Sequence, residues 1–148
     1  VSKLTRIKKC LNILKSNNYF VTYGDGLANI DFNKYFNLIN KTKKNFICSK
    51  KIRSQYGHLV CGNNNSINFF TEKPYMKDPI NIGYYFFFRS TIENFYNKNH
   101  ELEDQFLNKL IKKRLIKQFN HEGFFFNIDK KTDLLKLKEE KKNILKLL

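Results

Sequence analysis

The chain is 148 residues long, which corresponds to about one domain. Lys and Arg total 28 against 13 for Asp and Glu, so the net charge is +15, while 41% of the residues are hydrophobic and 16% are aromatic. This composition is too apolar for a disordered tail, and the apolar runs are too short to cross a bilayer. We therefore expect one folded domain over residues 1–148, with no membrane span and no readable signal peptide.

The three cysteines bear on the compartment and on metal binding. Cys10, Cys48 and Cys61 are far apart and show no C-x-x-C spacing, which disfavours both a structural zinc site and a disulfide framework. We expect a reducing compartment, hence a cytoplasmic location. We also expect each cysteine to serve as a small buried hydrophobe.

The positive charge is spread along the whole chain, and 24 of the 28 basic residues are lysine. A dedicated nucleic-acid binder usually concentrates Arg and Lys on one face. An AT-biased coding sequence would also enrich lysine without any selection for binding. We therefore expect no specific nucleic-acid partner.

The first half of the chain predicts two helices around a strand and a turn. Leucine and isoleucine recur at helical spacing from Leu4 to Leu14. The aromatic and β-branched run over residues 19–23 predicts a strand, and Gly24-Asp25-Gly26 predicts a tight turn after it. Asp31 is the expected N-cap of a second helix, since the helical period resumes at Phe32.

The second half predicts several short strands and three helices. The segment Gly62–Asn65 is predicted to form a hairpin connection in which Gly62 supplies a positive φ. The whole pattern predicts an α/β fold, with a mixed sheet flanked by helices. The predicted strands cover residues 45–49, 58–61, 67–71, 82–88 and 124–128, and the predicted helices cover 91–95, 102–115 and a C-terminal 132–148.

Asp25 is the first candidate for chemistry. It lies at the carboxyl end of a predicted strand, where ligands bind in open α/β sheets, and a carboxylate there could hold Mg²⁺. Asp-Gly is also the commonest signal for a type I′ hairpin turn, so a purely structural role stays open. His121-Glu122 is a poor metal pair, because adjacent side chains point apart and no third ligand is near in sequence.

Six short motifs are spread over most of the chain. The motifs are Tyr23-Gly24-Asp25-Gly26, Tyr56-Gly57, Glu72-Lys73-Pro74, Ile80-Asn81-Ile82-Gly83, His121-Glu122-Gly123 and Ile128-Asp129. In this order and at this spacing they resemble the sugar-phosphate nucleotidyltransferases, most of all the glucose-1-phosphate cytidylyltransferases. The resemblance runs from about Arg6 to the C-terminus.

The resemblance implies a Rossmann-like nucleotidyltransferase domain. Such an enzyme joins a nucleoside triphosphate, here CTP, to a sugar 1-phosphate, here glucose 1-phosphate, and releases pyrophosphate. The product would serve surface-polysaccharide sugar synthesis. The protein must hold two anions in line and neutralise their charge with metal and basic groups.

The same resemblance implies a role for each candidate residue. Asp25 would be the catalytic Mg²⁺ ligand that bridges the reacting phosphates, and Asp129 the second metal carboxylate. Lys73 would be catalytic and would meet the sugar phosphate as a point charge. The sugar pocket would be lined by Gly57, Glu72, Asn81, Gly83 and Glu103.

Two departures from the family pattern matter. Asn127 stands where many relatives carry a metal-binding Asp, so metal affinity depends on Asp129. The chain also begins at Val1 without the Gly-Gly-x-Gly-Thr-Arg loop that cradles the triphosphate in relatives. It therefore resembles the C-terminal part of such a domain.

An incomplete sheet predicts an exposed strand and poor solubility, or a partner: either a homo-oligomer or a complementing N-terminal chain. A non-catalytic remnant or a subunit of a split enzyme remains the main alternative. A weaker one is a basic protein that binds nucleic acid or an acidic membrane surface through the lysine-rich helix over residues 132–148.

Overall fold

A computed structural model describes residues 1–139 of the chain. These residues form five α-helices, eight strands and two irregular helical turns. The helices are α1 Lys3–Ile13, α2 Phe32–Thr42, α3 Arg89–Phe95, α4 Leu107–Lys112 and α5 Lys131–Glu139; the strands are β1 Asn18–Thr22, β2 Gly26–Ala28, β3 Asn45–Lys50, β4 His58–Cys61, β5 Ile67–Thr71, β6 Ile80–Phe88, β7 Ile116–Asn120 and β8 Phe125–Asn127. The part of the predicted C-terminal helix beyond Glu139 lies outside the described residues.

The first two helices begin at side-chain caps. The Ser2 hydroxyl accepts a hydrogen bond from the Thr5 N–H at 3.2 Å, at the start of α1. Asp31 caps α2 as predicted, since its carboxylate accepts from the Lys34 N–H at 2.9 Å. Such caps satisfy N–H groups that have no partner within the helix.

The main sheet has four strands in the order β1-β6-β3-β7. β6 is antiparallel to both β1 and β3, and β7 is parallel to β3. The carboxyl ends of β1, β3 and β7 therefore meet at the same end of the sheet, together with the start of β6. Two further two-stranded sheets pair β2 with β8 and β4 with β5.

The core lies on both faces of this sheet. On one face, α1, α3 and α4 cover a cluster that includes Leu4, Tyr85 and Phe106. On the other face, α2 covers a second cluster around Tyr35 and Phe86. Side chains of β6 alternate between the two clusters, so this central strand is buried on both sides. A mixed sheet flanked by helices is the predicted fold class, and the prediction is confirmed.

Several local predictions are wrong. The helix over 102–115 is instead a π-helical turn, Leu102–Phe106, followed by α4, which ends at Lys112. The chain then reverses at Arg114, whose φ is 55°, and forms β7, a strand that apolar spacing did not reveal. β2 was also not predicted.

The hairpin between β4 and β5 turns at different residues from the one predicted. Gly62 has a φ of −98°, while the positive φ values belong to Asn64 and Asn65. Asparagine tolerates this conformation better than other residues with a side chain.

Only one of the three cysteines is buried as predicted. Cys48 lies in the core, and burial raises the pKa of its thiol to about 12. Cys10 and Cys61 are exposed, because the first lies on the outward face of α1 and the second on the exposed strand β4. Among residues 1–139, no helix is long and apolar enough to span a membrane.

Candidate active site

Asp25 lies in the turn that follows β1, at the end of the sheet where three strands terminate. The turn joins two different sheets, since β2 pairs with β8 and not with β1. The simple hairpin interpretation of Asp-Gly is therefore wrong. Two backbone hydrogen bonds fix the turn: the Tyr23 N–H donates to the Gly83 carbonyl at 3.1 Å, and the Ile128 N–H donates to the Asp25 carbonyl at 2.9 Å.

The pairing of β2 with β8 brings the second predicted carboxylate to this turn. Gly26 lies opposite Asn127 in the ladder, so Asp129 follows directly after the residue that bonds to the Asp25 backbone. The Asn127 side-chain amide donates to the Asp129 carboxylate at 2.7 Å. Asp25 and Asp129 are separated by about 100 positions in the chain, and the fold places them on adjacent segments.

The chemistry of these two carboxylates fits Mg²⁺. Both are exposed, and among residues 1–139 no group of three or more Asp, Glu, His or Cys side chains is placed to hold a metal ion. Mg²⁺ is commonly held by only one or two carboxylates, with water and substrate phosphates completing its coordination. Asp25 and Asp129 are thus the residues that would hold the ion.

Three other predicted site residues belong to one hydrogen-bonded network beside the Asp25 turn. The Asn81 amide donates to the Tyr85 hydroxyl at 2.5 Å and its oxygen accepts from the Gly83 N–H at 2.9 Å. The hydroxyls of Tyr85 and Tyr23 are 3.0 Å apart. Tyr23 also donates to the Glu103 carboxylate, which forms an ion pair with Lys3.

This network changes the acidity of its members. Burial, followed by the hydrogen bond to Glu103, raises the pKa of Tyr23 above its usual range. Burial also raises the pKa of Tyr85. Burial tends to raise the pKa of Glu103. The hydrogen bonds from Lys3 and Tyr23 outweigh this effect and hold the pKa of that carboxyl below its usual value. Glu103 is therefore charged and both tyrosines are neutral near pH 7.

The remaining predicted residues lie at the base of the β4–β5 hairpin. A Cβ at Gly57 would lie 2.5 Å from the Phe70 ring and 2.9 Å from a Glu72 carboxylate oxygen, so Gly57 and Glu72 are neighbours. Lys73 has a positive φ of 46°, and its ammonium lies 3.9 Å from Glu72 with both side chains exposed. Within residues 1–139, no hydrogen bond links this group to the Asp25 turn.

A pocket of about 320 Å³ opens beside Asp25. Two cations that sequence reasoning missed, Lys3 and Arg6, lie on its wall together with Thr22, Tyr23 and Gly24. Their spacing of three residues puts both on one face of α1. That spacing was visible in the sequence, but nothing local indicated that this face of α1 lies beside Asp25.

The model of the nucleotidyl transferase family matches residues 4–134. The chain belongs to the nucleotidyl transferase family. No curated protein sequence matches it.

Several solved structures are similar to this chain. HddC from Yersinia pseudotuberculosis is 21% identical, with a TM-score of 0.68, and the match covers 95% of this chain and 62% of HddC. UDP-glucose pyrophosphorylase from Acinetobacter baumanii is 16% identical, with a TM-score of 0.60, covering 94% of this chain and 60% of that one. A Bacillus anthracis protein described as a glucose-1-phosphate thymidylyltransferase is 16% identical, with a TM-score of 0.62, covering 92% and 59%. These likenesses show the fold, and the chain spans about three fifths of each neighbour.

In this nucleotidyl transferase domain, His121 and Glu122 connect β7 to β8. His121 is buried, and its ring nitrogen lies 2.7 Å from the Phe124 carbonyl. A Cβ at Gly123 would lie 2.3 Å from the Asn29 side-chain oxygen, so any side chain at this position would have to displace Asn29. The motif thus shapes the connection that carries Asp129 back to the Asp25 turn.

Proposed function

We propose that this domain transfers a nucleotidyl group from a nucleoside triphosphate to a sugar 1-phosphate. CTP and glucose 1-phosphate are the proposed substrates, and the nucleotide sugar would enter surface-polysaccharide synthesis in the cytoplasm. The observation that carries the proposal is the position of Asp25 and Asp129 on adjacent segments, joined by the hydrogen bond from the Ile128 N–H to the Asp25 carbonyl. Membership of the family supports the reaction class.

In the proposed reaction, an oxygen of the sugar phosphate attacks the α-phosphorus of the triphosphate. The bond between the α-phosphorus and the bridging oxygen to the β-phosphorus breaks, and pyrophosphate leaves with that electron pair. No covalent intermediate with the protein is required. The task of the protein is to hold the two anions in line and to neutralise their charge.

The proposed roles follow from where charge is available. Asp25 and Asp129 would hold Mg²⁺, which when bound supplies positive charge to the reacting phosphates. Lys3 and Arg6 line the pocket beside Asp25 and would attract phosphate oxygens. Lys73, exposed at the base of the hairpin, would meet the sugar phosphate.

The sugar itself would be held by hydroxyl-binding groups. Glu72 would accept hydrogen bonds from sugar hydroxyls, Gly57 would offer its backbone amide to the sugar, and the backbone at Gly83 would line the sugar pocket. Asn81 and Glu103 would line the same pocket, next to the network in which they already take part.

The proposal includes a partner, which is either a further copy of the chain or a complementing polypeptide. The chain spans about 62% of HddC, and β1 is an edge strand whose outer side is unpaired within residues 1–139. The alternative is a non-catalytic remnant or a subunit of a split enzyme, and Asn127 in place of a carboxylate is the observation that favours the remnant.

The test separates substrate binding from turnover. We expect the chain to bind glucose 1-phosphate with Mg²⁺ in calorimetry, and we expect Asp25→Ala or Lys73→Ala to weaken binding at least about tenfold, as loss of a charged contact should. Glu93→Gln removes an exposed carboxylate at the opposite end of the sheet and should have no effect. Pyrophosphate release with CTP, UTP, GTP and dTTP then identifies the nucleotide.

The proposal fails if glucose 1-phosphate does not bind, or if Asp25→Ala and Glu93→Gln bind it equally well. Binding without pyrophosphate release from any of the four nucleotides would favour the non-catalytic remnant or the subunit of a split enzyme. Salt-sensitive binding to DNA or anionic vesicles that is indifferent to Asp25→Ala would favour a basic binding protein instead.

A further inference from the structure

Tyr23 is the last residue before the Gly24–Asp25 turn, and it is held from several directions. Its N–H donates to the Gly83 carbonyl at 3.1 Å. Its ring lies against Gly83 so closely that a Cβ there would come within 2.8 Å of it. Its hydroxyl contacts Tyr85 at 3.0 Å and donates to Glu103.

The partners of this hydroxyl come from distant parts of the chain. Tyr85 is a fully buried residue of β6, and its hydroxyl also accepts from Asn81 at 2.5 Å. Glu103 lies in the π-helical turn that precedes α4. One hydroxyl therefore joins the end of β1 to the central strand and to the helical layer.

Lys3 closes the network on its exposed side. Its ammonium pairs with Glu103, lies 3.4 Å from the Tyr23 hydroxyl and sits 4.4 Å from the centre of the Tyr23 ring. A cation over an aromatic face and a carboxylate that accepts two hydrogen bonds favour a single orientation of the ring. This orientation fixes the backbone that leads into Asp25.

We propose that Tyr23 is a positioning residue whose hydroxyl, through Glu103 and Tyr85, holds the Asp25 turn in the geometry that binds a divalent cation. The inference rests on the proposed function, because it assumes that Asp25 is a metal ligand. The inference goes beyond the proposed function because it assigns the geometry of that ligand to a side chain that is not itself a proposed metal ligand.

The test compares two hydroxyls at opposite ends of β1. Tyr23→Phe keeps the ring against Gly83 and removes only the oxygen. Tyr19→Phe is the matched control, because the Tyr19 hydroxyl donates to the Leu14 carbonyl at 2.5 Å and accepts from Arg89 at 3.0 Å, far from Asp25. Mn²⁺ is the probe: its affinity is measured by electron paramagnetic resonance, and the exchange of the amides of residues 24–26 by mass spectrometry.

We expect Tyr23→Phe to speed amide exchange in the turn and to weaken Mn²⁺ binding about two- to tenfold, the range for one net hydrogen bond. Tyr19→Phe should lower the unfolding midpoint while leaving both readouts unchanged. The melting temperatures of both variants show whether each still folds.

Three outcomes would overturn the inference. Unchanged exchange in Tyr23→Phe would mean that the hydroxyl does not hold the turn. Faster exchange with unchanged Mn²⁺ affinity would mean that it stabilises the fold without positioning Asp25. If the wild-type chain binds no Mn²⁺, or binds it equally well as Asp25→Asn, the proposed metal site itself fails, and this result is distinct from the first two.

Discussion

Glu103 owes its lowered pKa to residues that are remote in sequence. Lys3 and Tyr23, which are about 100 and 80 positions away, both bond to the same carboxylate oxygen. Burial favours the neutral acid, whereas these two hydrogen bonds favour the carboxylate, and the balance lowers its pKa. Because the side chain is partly exposed, water screens the ion pair, and its contribution to stability is modest.

This lowered pKa predicts how stability depends on pH. The pKa of Glu103 is lower in the folded state than its ordinary value of 4.5. The charged carboxylate therefore stabilises the fold fully at pH values above 4.5. The stabilisation is lost as the pH falls through the folded pKa. We expect the unfolding free energy of the wild type to fall more steeply than that of Glu103→Gln below about pH 5.

Urea unfolding at a series of pH values measures this difference. Glu93→Gln is the control for the loss of one exposed carboxylate from an ion pair, since Glu93 pairs with Arg89 on α3. Parallel curves for the wild type and Glu103→Gln would contradict the prediction.

At the scale of elements, β6 decides the geometry of the site. Its first residues run beside β3, its later residues pair with both β1 and β3, and Gly83 lies where the pairing with β1 begins. Gly83 has a φ of 78°, a conformation that costs about 1–2 kcal/mol for a residue with a side chain. The carbonyl of Gly83 accepts a hydrogen bond from the Tyr23 N–H. A shift of the backbone at Gly83 would therefore also move the Asp25 turn.

We therefore expect Gly83→Ala to destabilise the fold by about 2 kcal/mol or more, since the strain adds to a methyl group placed 2.8 Å from the Tyr23 ring. Gly24→Ala is the control, because no atom lies within 4 Å of a Cβ at Gly24 and its φ is not positive. Its effect should stay within about 0.5 kcal/mol. Chemical denaturation of the three proteins gives both values, and equal losses at the two glycines would refute the argument.

Some helices and strands could be predicted from the sequence, and others could not. α2 was predicted from its apolar period and from Asp31, because the cap and the period are both local signals. β1 and its turn were found in the same way. β2 has only three residues and exists because it pairs with β8, about 100 positions away. β7 was missed because Leu115 and Ile116 continue the apolar pattern of the preceding helix.

Some residues of the candidate site could likewise be predicted from local motifs, and others could not. Asp25, Asn81 and Asp129 stood out through their motifs, and the fold brings Asp129 to the segment beside Asp25. The contact of Lys3 with Glu103 joins two residues that carry no shared local pattern. Only the packing of α1 and the π-helical turn on the same face of the sheet brings them together.

At the scale of the whole molecule, the β4–β5 hairpin has an apolar surface that nothing covers within residues 1–139. Val60 and Phe69 lie opposite each other in the hairpin and are 55% and 62% exposed. Leu59, Ile67 and Phe70 are also more than half exposed. Because successive side chains of a strand point to opposite faces, the Val60–Phe69 pair and the adjacent Leu59–Phe70 pair expose apolar surface on both faces of the hairpin. Exposed apolar surface of this kind favours association.

Net charge opposes association, since each chain carries +15. This repulsion is screened beyond about 8 Å at physiological ionic strength, whereas apolar contact persists. We expect the oligomeric fraction of the wild-type chain to rise with protein concentration. We also expect this fraction to be larger in 0.5 M than in 0.05 M NaCl. Light scattering coupled to size-exclusion chromatography measures this.

Phe69→Lys should reduce the association several-fold, because it places a charge on one apolar face of the hairpin. It should cost little stability, because Phe69 packs mainly across the hairpin and such pairs contribute about 0.2–1 kcal/mol. Ile111→Lys is the matched control: Ile111 is similarly exposed, at 58%, but stands on α4, away from the hairpin. If both variants reduce the association equally, net charge and not the hairpin controls the association. If the wild type is monomeric at high salt, the hairpin surface does not join copies of the chain.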